Sequence, residues 1–160
     1  RGDRAGVLEE IPALCQDLLE RLDGLVSDLK NASGSVGDEL GCCFFRSAPM
    51  LSTYPHLERG MRFTWHLDNS RGTNGRVLTC VYYLNPDWPE AGGGKLRILE
   101  PNKSMHEAPP QRVLAEIQPL LDTLVLFWAH RTPHEVLPPR TNDRRALSTW
   151  YLCPRHGPEQ

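Results

Sequence analysis

Two side chains that commonly bind metal ions, His66 and Asp68, stand two residues apart at the end of an apolar segment. A β-strand directs residues i and i+2 to the same face, so this imidazole and this carboxylate can converge on one point. Two histidines and one carboxylate on one face, with open positions opposite, are the ligand set of non-haem Fe(II) oxygenases. The pair therefore predicts two of the three ligands of such a metal site.

The same spacing occurs a second time in the chain, in His56 and Glu58. This second pair lies between a proline and a glycine, which indicates a loop rather than a strand. We therefore expect one of the two matches to be accidental, and the strand context favours His66 and Asp68.

The third ligand must come from a strand that is distant in sequence. The remaining histidines are His106, His130, His134 and His156. His130 and His134 have the spacing of a helical metal site, but Pro133 between them disfavours a helix. His134 opens the segment HEVLP directly after an apolar strand and its turn, so we predict His134 as the third ligand.

Two adjacent arginines open the apolar segment RRALSTWYL. A guanidinium that points into a β fold can hold a carboxylate through two parallel hydrogen bonds, which a lysine does less specifically. If Ala146, Ser148 and Trp150 share one face, Arg144 shares that face and Arg145 lies on the other. We therefore predict that Arg144 anchors a dicarboxylate, with Arg145 as the alternative.

The element that precedes the β segments is a single amphipathic helix, predicted over about residues 12 to 30. Leucines step by three or four residues and form one apolar stripe: Leu14, Leu18, Leu22, Leu25 and Leu29. Pro12 suits the first helical turn, and the small polar residues 31–38 end the helix. We expect this helix to support a sheet and to contribute no chemistry.

Residues from about 40 to 152 read as short strands, rich in aromatic and β-branched side chains and separated by turn clusters. The predicted strands are LGCCFF, PMLSTY, RFTWHLD, VLTCVYYL, KLRIL, TLVLFWA, HEVL and ALSTWYL. Residues 101–112 are predicted to form a mobile surface loop. The 160 residues therefore predict one catalytic domain, mainly β with helical support, in which the strands form a closed or sandwiched antiparallel fold.

The composition excludes several classes of partner. The formal net charge is −2 with no basic tract, which disfavours nucleic acid as a partner. No apolar run approaches the roughly 20 residues that span a bilayer, so no membrane partner is predicted. Five cysteines, an odd number without a CxxC motif, favour reduced thiols over a disulfide framework. A cytoplasmic or nuclear location follows as an expectation.

Five motifs in order resemble the catalytic core of prolyl hydroxylases of the hypoxia-inducible-factor type, whose relatives include protist enzymes that hydroxylate Skp1. The motifs are HLDN, GRVLTCVYYLNPDW, GGKLRI, LVLFWAHRTPHEVLP and RRALSTWYL. The resemblance covers about residues 40 to 152. It implies a double-stranded β-helix, also called a jelly-roll or cupin-like fold. It also implies a protein prolyl 4-hydroxylase that uses Fe(II), 2-oxoglutarate and O2, with ascorbate as the expected reductant.

The resemblance also implies roles for individual residues. By the family pattern, His66, Asp68 and His134 bind iron. Arg144 and Tyr83 bind the distal carboxylate of 2-oxoglutarate. The other pocket positions carried over are Tyr54 and Leu96 for the cosubstrate, Met50 and Trp150 for the substrate, and Phe127 for the wall.

The implied partner is a protein with a target proline, similar to Skp1 or to a hypoxia-inducible factor, which would make oxygen sensing the expected role. No oligomeric state is predicted. The alternatives are an Fe(II) and 2-oxoglutarate oxygenase for another substrate, such as a collagen-like peptide, a free amino acid or a nucleobase. An inactive homologue that binds a peptide and a cupin-like zinc hydrolase or isomerase also remain open.

Overall fold

The computed structural model describes residues 13–58, 60–101 and 112–154, which form two helices and nine strands. The helices are α1 (Ala13–Asn31) and α2 (Ser35–Leu40). The strands are β1 (Phe45–Arg46), β2 (Met50–Tyr54), β3 (Phe63–His66), β4 (Arg76–Tyr83), β5 (Leu96–Leu99), β6 (Val113–Ile117), β7 (Leu124–Trp128), β8 (His134–Val136) and β9 (Arg144–Leu152). A short 3-10 helix (Glu90–Gly92) lies between β4 and β5.

The strands form two antiparallel sheets. In the first, β9 pairs with β4 on one side and with both β1 and β2 on the other, and β4 also pairs with β7. The second sheet has the order β3-β8-β5-β6. One buried cluster joins side chains of both sheets, so the sheets pack face to face. The predicted double-stranded β-helix, mainly β with helical support, is confirmed.

Alternation along each strand decides which side chains enter the space between the sheets. Val81 and Tyr83 of β4 meet Leu96 of β5, Phe127 of β7 and Ala146 of β9 in one buried cluster. Their sequence neighbours on β4 and β9 point to the outer face of the first sheet, because the side-chain period of a strand is two residues. The inner face therefore combines apolar packing with the residues that were predicted to bind iron and cosubstrate.

Helix α1 covers the outer face of the first sheet. Leu19, Leu22 and Val26 are its most buried side chains, at 6%, 6% and 1% exposure, and their spacing of three and four residues makes one helical stripe. Leu25, predicted for this stripe, is 39% exposed, so the buried stripe is rotated from the predicted one. Pro12 lies outside the described residues.

A polar contact fixes the position of α1 on the sheet. The carboxylate of Asp23 accepts hydrogen bonds from the hydroxyl of Tyr151 and from the Nε atom of Arg46, the latter at 2.9 Å. Tyr151 and Arg46 lie on β9 and β1, so the helix is attached to two neighbouring strands.

Three predicted elements differ from the structure. The segment LGCCFF is not a strand, because Leu40 ends α2 and only Phe45 begins β1. Helix α2 (Ser35–Leu40) begins within the stretch 31–38, which was predicted as a loop, and ends at Leu40, which was predicted as the start of a strand. Strand β6 was not predicted, because four of its five residues are exposed and it lacks the alternation of a half-buried strand. Most of the predicted loop 101–112 lies outside the described residues.

Neither described helix is long and apolar enough to cross a membrane.

Candidate metal and cosubstrate site

Three potential metal ligands meet at one end of the space between the sheets. His66 and His134 are direct cross-strand partners on β3 and β8, and Asp68 follows β3 by two residues. The Nε2 atoms of His66 and His134 lie 3.3 and 3.9 Å from Oδ1 of Asp68. All three ligand atoms lie within 4.8 Å of one another. Donor atoms at right angles around an ion, each about 2.1 Å from it, are about 3 Å apart, so the spacing suits a single ion.

Backbone carbonyls fix the orientation of both imidazoles. Nδ1 of His66 lies 3.0 Å from the carbonyl oxygen of Thr64, and Nδ1 of His134 lies 3.0 Å from that of Thr132. A carbonyl oxygen only accepts, so each Nδ1 carries the hydrogen. In the neutral ring, Nε2 then presents its lone pair to Asp68. Three electron-pair donors therefore face one another, an arrangement that a cation stabilises.

The pKa values of the ligands favour the forms that bind metal. Burial raises the pKa of Asp68, but the contact with His66, the charge of His134 and hydrogen bonds from Thr79 and Trp150 outweigh it, so the net pKa is below its usual range. Burial is also the main cause that lowers the pKa of His134, to about 4. At neutral pH the site therefore offers a carboxylate and an uncharged His134 ring.

The side-chain amides of two asparagines stabilise the turn between β3 and β4, which contains Asp68. Asn69 is 3% exposed and donates from its side-chain amide to the backbone carbonyl of Arg76 at 2.9 Å. The amide of Asn74 donates to the backbone carbonyl of Asp68 at 2.7 Å, and its oxygen accepts from the backbone N–H of Arg76 at 3.1 Å. These two asparagines were not among the predicted site residues. The sequence signals for them are the motif HLDN, which contains Asn69, and the position of both asparagines in the turn after Asp68.

The second oxygen of the Asp68 carboxylate is held by two side chains of the first sheet. Oδ2 accepts a hydrogen bond from Oγ1 of Thr79 at 2.6 Å and one from Nε1 of Trp150 at 3.0 Å. Thr79 was not predicted, although it shares a strand face with Tyr83, four residues away. Trp150 was predicted as a substrate-pocket residue, and the structure places its indole N–H on Asp68.

The predicted cosubstrate anchors are grouped on the inner faces of β2, β4 and β9. Arg144 is 2% exposed, and its Nε donates to the backbone carbonyl of Gly94 at 2.8 Å. The guanidinium carbon lies 5.2 Å from the ring centre of Tyr54 and 5.1 Å from that of Tyr83. Arg145 points to the other face, and its side chain is 53% exposed beside Asp143.

Among the described residues, Arg144 is buried without a carboxylate partner and the Tyr83 hydroxyl is buried without a hydrogen-bond partner. No carboxylate in the described parts of the chain forms an ion pair with Arg144, although a buried cation is stable only when it is compensated. The Tyr83 hydroxyl is buried without a hydrogen-bond partner among these residues. Burial raises the pKa of Tyr83 despite the opposing charge of Arg144, so the phenol remains a donor at neutral pH. A bound carboxylate would satisfy both groups, and the residues therefore fit a dicarboxylate cosubstrate.

The remaining predicted pocket residues are Leu96, Phe127 and Met50, and they differ in burial and in neighbours. Leu96 is 2% exposed and belongs to the cluster between the sheets. The ring of Phe127 lies 4.5 Å from that of His134. Met50 is 37% exposed on β2, where it pairs with Ser148 of β9. Phe127 therefore forms a wall beside a predicted ligand, whereas Met50 lies at the surface.

The competing histidines have other contacts. Nδ1 of His56 lies 2.9 Å from Oδ1 of Asp143, and the pair His56 and Glu58 is not part of the three-residue group that could hold a metal. Nε2 of His130 lies 3.4 Å from Oε1 of Glu39, outside the same group. His106 and His156 lie outside the described residues.

The chain matches known proteins over most of this region. Residues 49–152 match the 2OG-Fe(II) oxygenase superfamily. Egl nine homolog 1 of Rattus norvegicus is 33% identical over 154 residues, which cover 95% of this chain and 41% of that protein. Prolyl hydroxylase EGLN3 of Mus musculus is 39% identical over 137 residues, covering 83% of this chain and 52% of that protein. The chain therefore spans about half the length, or less, of these relatives.

A solved structure has the same fold. It is a prolyl hydroxylase in complex with a hypoxia inducible factor oxygen degradation domain peptide fragment, from Trichoplax adhaerens. It superposes with a TM-score of 0.71 at 32% sequence identity, covering 89% of this chain and 57% of that chain. The family resemblance drawn from the five motifs is confirmed.

Proposed function

Because the chain belongs to the 2OG-Fe(II) oxygenase superfamily, whose members require Fe(II), 2-oxoglutarate and O2, we propose that it is a protein prolyl 4-hydroxylase. The observation that carries the proposal is that the space between the sheets contains two groups of residues. Two histidines and one carboxylate have ligand atoms within 4.8 Å of one another, and Arg144 is buried without a carboxylate partner among the described residues. The similarity to named prolyl hydroxylases supports the choice of proline as the target.

His66, Asp68 and His134 would hold Fe(II), with Nε2 of each histidine and Oδ1 of the aspartate as ligand atoms. Arg144 would pair with the distal carboxylate of 2-oxoglutarate, and Tyr83 would donate a hydrogen bond to it. When bound, the iron, 2-oxoglutarate and O2 supply the oxidation that converts a prolyl C–H bond into C–OH and yields succinate and CO2.

The protein's own contribution is orientation and exclusion of water. The backbone carbonyls of Thr64 and Thr132 keep each imidazole turned toward the ion. The apolar neighbours Leu96 and Phe127 keep the space between the sheets dry, which strengthens the pairing of Arg144 with a carboxylate.

A peptide substrate is supported by an apolar side chain that remains exposed beside a predicted metal ligand. The ring of Phe63 lies 4.3 Å from that of His66 in an edge-on arrangement, and Phe63 is 37% exposed. An exposed apolar group beside a site is suited to contact a partner chain. The proposed partner is therefore a protein segment with a proline, tested first with peptides similar to Skp1 and to a hypoxia-inducible factor.

The peptide of the Trichoplax complex and the names of the relatives support a regulatory protein as the target. On this proposal the protein acts in the cytoplasm or nucleus, where such a target would occur, and hydroxylation that varies with O2 supply would make it an oxygen sensor.

The test begins with anaerobic unfolding of the protein in Mn(II), with and without 2-oxoglutarate. A ligand that binds only the folded state adds about 2.7 kcal/mol at a hundredfold excess over its Kd. Aerobic reactions with Fe(II), ascorbate and 2-oxoglutarate then follow the gain of one oxygen atom on proline-containing peptides by mass spectrometry. The matched controls are the same peptides with alanine in place of proline, and the His66→Ala protein.

The outcomes separate the proposal from its alternatives. Metal-dependent stabilisation by 2-oxoglutarate and hydroxyproline in a peptide would support it. Stabilisation and succinate formation without hydroxylation of any prolyl peptide would indicate an oxygenase for another substrate. A folded protein that responds to neither Mn(II) nor 2-oxoglutarate would contradict the enzyme and favour a peptide-binding homologue.

A further inference from the structure

We propose that Thr79 and Trp150 are positioning residues that hold Oδ2 of Asp68 and thereby aim Oδ1 at the metal. This pair is called the Asp68 clamp below. The inference rests on the proposed iron site, because it assigns each oxygen of one proposed ligand a separate task.

The geometry of the clamp follows from strand register. Thr79 on β4 and Trp150 on β9 are direct cross-strand partners, so both side chains leave the sheet on the same face at the same level. The threonine hydroxyl is 2.6 Å and the indole N–H 3.0 Å from the same oxygen. Their residues are 2% and 8% exposed, and the Asp68 side chain is 8% exposed. Water therefore has little access to replace either donor.

The two oxygens of the Asp68 carboxylate have different neighbours. Oδ2 accepts two hydrogen bonds in the sheet, whereas Oδ1 faces the Nε2 atoms of His66 and His134. Rotation of the carboxylate would break both bonds, and hydrogen bonds to a charged group are stronger than those between neutral groups. The clamp would therefore favour binding of the ion through one oxygen, so that His66, Asp68 and His134 would each supply a single ligand atom.

Arg76 completes the clamp by holding the indole. Its guanidinium carbon lies 3.8 Å from the centre of the Trp150 ring, the distance of a stacked cation–π contact. The backbone of Arg76 is bonded on both sides, to Asn69 and to Asn74, in the turn that also holds the Asp68 backbone. The same short turn therefore holds the backbone of Asp68 and positions Arg76. Arg76 in turn holds the indole of Trp150, which orients the Asp68 carboxylate.

The test measures the affinity for Mn(II) in the absence of 2-oxoglutarate, by titration with detection of the free ion. Thr79→Val keeps the shape of the side chain and removes the donor, and Trp150→Phe removes the indole N–H. Each is expected to weaken Mn(II) binding by about 10- to 100-fold, as loss of a partner to a metal ligand commonly does. Thr79→Ser restores a hydroxyl and should return the affinity to within about threefold of the wild type.

Thr149→Val is the matched control for loss of a buried hydroxyl. Thr149 is as buried as Thr79 and lies next to Trp150 on β9, but its hydroxyl donates to the backbone carbonyl of Ser47 on the other face of the sheet. This variant should lose stability without changing its affinity for Mn(II). Circular dichroism and thermal unfolding of each variant show that the protein titrated is folded.

The results distinguish failure of the clamp from failure of the proposed function. If the wild type binds Mn(II) and both Thr79→Val and Trp150→Phe bind it equally well, the clamp is wrong and the metal site stands. An equal loss in Thr149→Val, or no recovery in Thr79→Ser, would show that strand packing rather than the donor matters, and would also overturn the clamp. A folded wild type that does not bind Mn(II) would overturn the site and the clamp together.

Discussion

Replacement of Arg144 by methionine should remove 2-oxoglutarate binding while leaving the ligand-free protein folded. Arg144 is 2% exposed, and its Nε atom donates a hydrogen bond to the backbone carbonyl of Gly94. Removing one partner of a buried, hydrogen-bonded charge pair costs about 2–5 kcal/mol of binding. A value near about 2.7 kcal/mol corresponds to about 100-fold weaker binding of 2-oxoglutarate.

Without 2-oxoglutarate, the same substitution should change the unfolding free energy of the protein only slightly. A buried cation without a carboxylate partner is itself costly, and apolar replacements of similar volume at buried charges are often neutral or stabilising. Methionine has a similar length and no charge. We therefore expect the unfolding free energy of Arg144→Met without ligand to fall by no more than about 1 kcal/mol. This loss would come from the bond to Gly94.

Unfolding in saturating Mn(II) measures both effects. With 2-oxoglutarate at about 100 times its wild-type Kd, the wild type should gain about 2.7 kcal/mol and Arg144→Met about 0.4 kcal/mol. For a chain of this length the wild-type gain corresponds to a rise in Tm of about 5–10 °C. Arg145→Met is the matched control, because that side chain is 53% exposed and should leave the full gain.

Two results would refute this reasoning. If Arg144→Met keeps the response to 2-oxoglutarate and Arg145→Met loses it, the anchor is the neighbouring arginine. If ligand-free Arg144→Met loses several kcal/mol (more than about 3, the scale of breaking a buried pair), the guanidinium is a structural group already satisfied by the protein.

Three further variants test the surroundings of the site. Tyr83→Phe should raise ligand-free stability by about 1 kcal/mol, because it removes a buried hydroxyl without a partner among the described residues, and should weaken 2-oxoglutarate binding by about 3- to 10-fold in a titration. Gly94→Ala should weaken the same binding by about tenfold, because φ is +65° there and the new Cβ would lie 3.2 Å from Cδ of Arg144; unchanged affinity would contradict the close approach. Tyr151→Phe should lower the unfolding free energy by about 1 kcal/mol through loss of its bond to Asp23, with no change in Mn(II) or 2-oxoglutarate affinity.

The parts of the site that the sequence predicts are those that depend on local periodicity. Alternation along a strand placed Arg144 on the inner face and Arg145 on the outer face, and the structure has the same arrangement. The convergence of His66 and Asp68 was likewise predicted from local periodicity, because residues two apart in a strand share one face. His134 required more, because its pairing with His66 joins distant strands, and its position at a strand start was the only local indication.

The parts that the sequence did not predict depend on contacts between distant strands or on weak local patterns. Thr79 reaches Asp68 only because β4 and β9 pair in the register that sets it beside Trp150, and no local pattern encodes that register. Strand β6 was missed because an edge strand with both faces exposed has no apolar alternation. In α1, Leu25 and Val26 are adjacent apolar residues, so the sequence alone does not say which of them is buried. Packing against the sheet buries Val26 and leaves Leu25 39% exposed.

The polar groups between the sheets fall into two sets with different consequences. Oδ2 of Asp68 and the Nδ1 atoms of His66 and His134 are satisfied by the protein, so these groups are held in place before any ligand binds. Among the described residues, the Tyr83 hydroxyl is buried without a hydrogen-bond partner and Arg144 is buried without a carboxylate partner, and both features cost stability. A protein can retain such a destabilising feature where the binding of a ligand compensates the lost stability. On the proposed function, the satisfied groups would orient the metal ligands, and Tyr83 and Arg144 would hold the dicarboxylate.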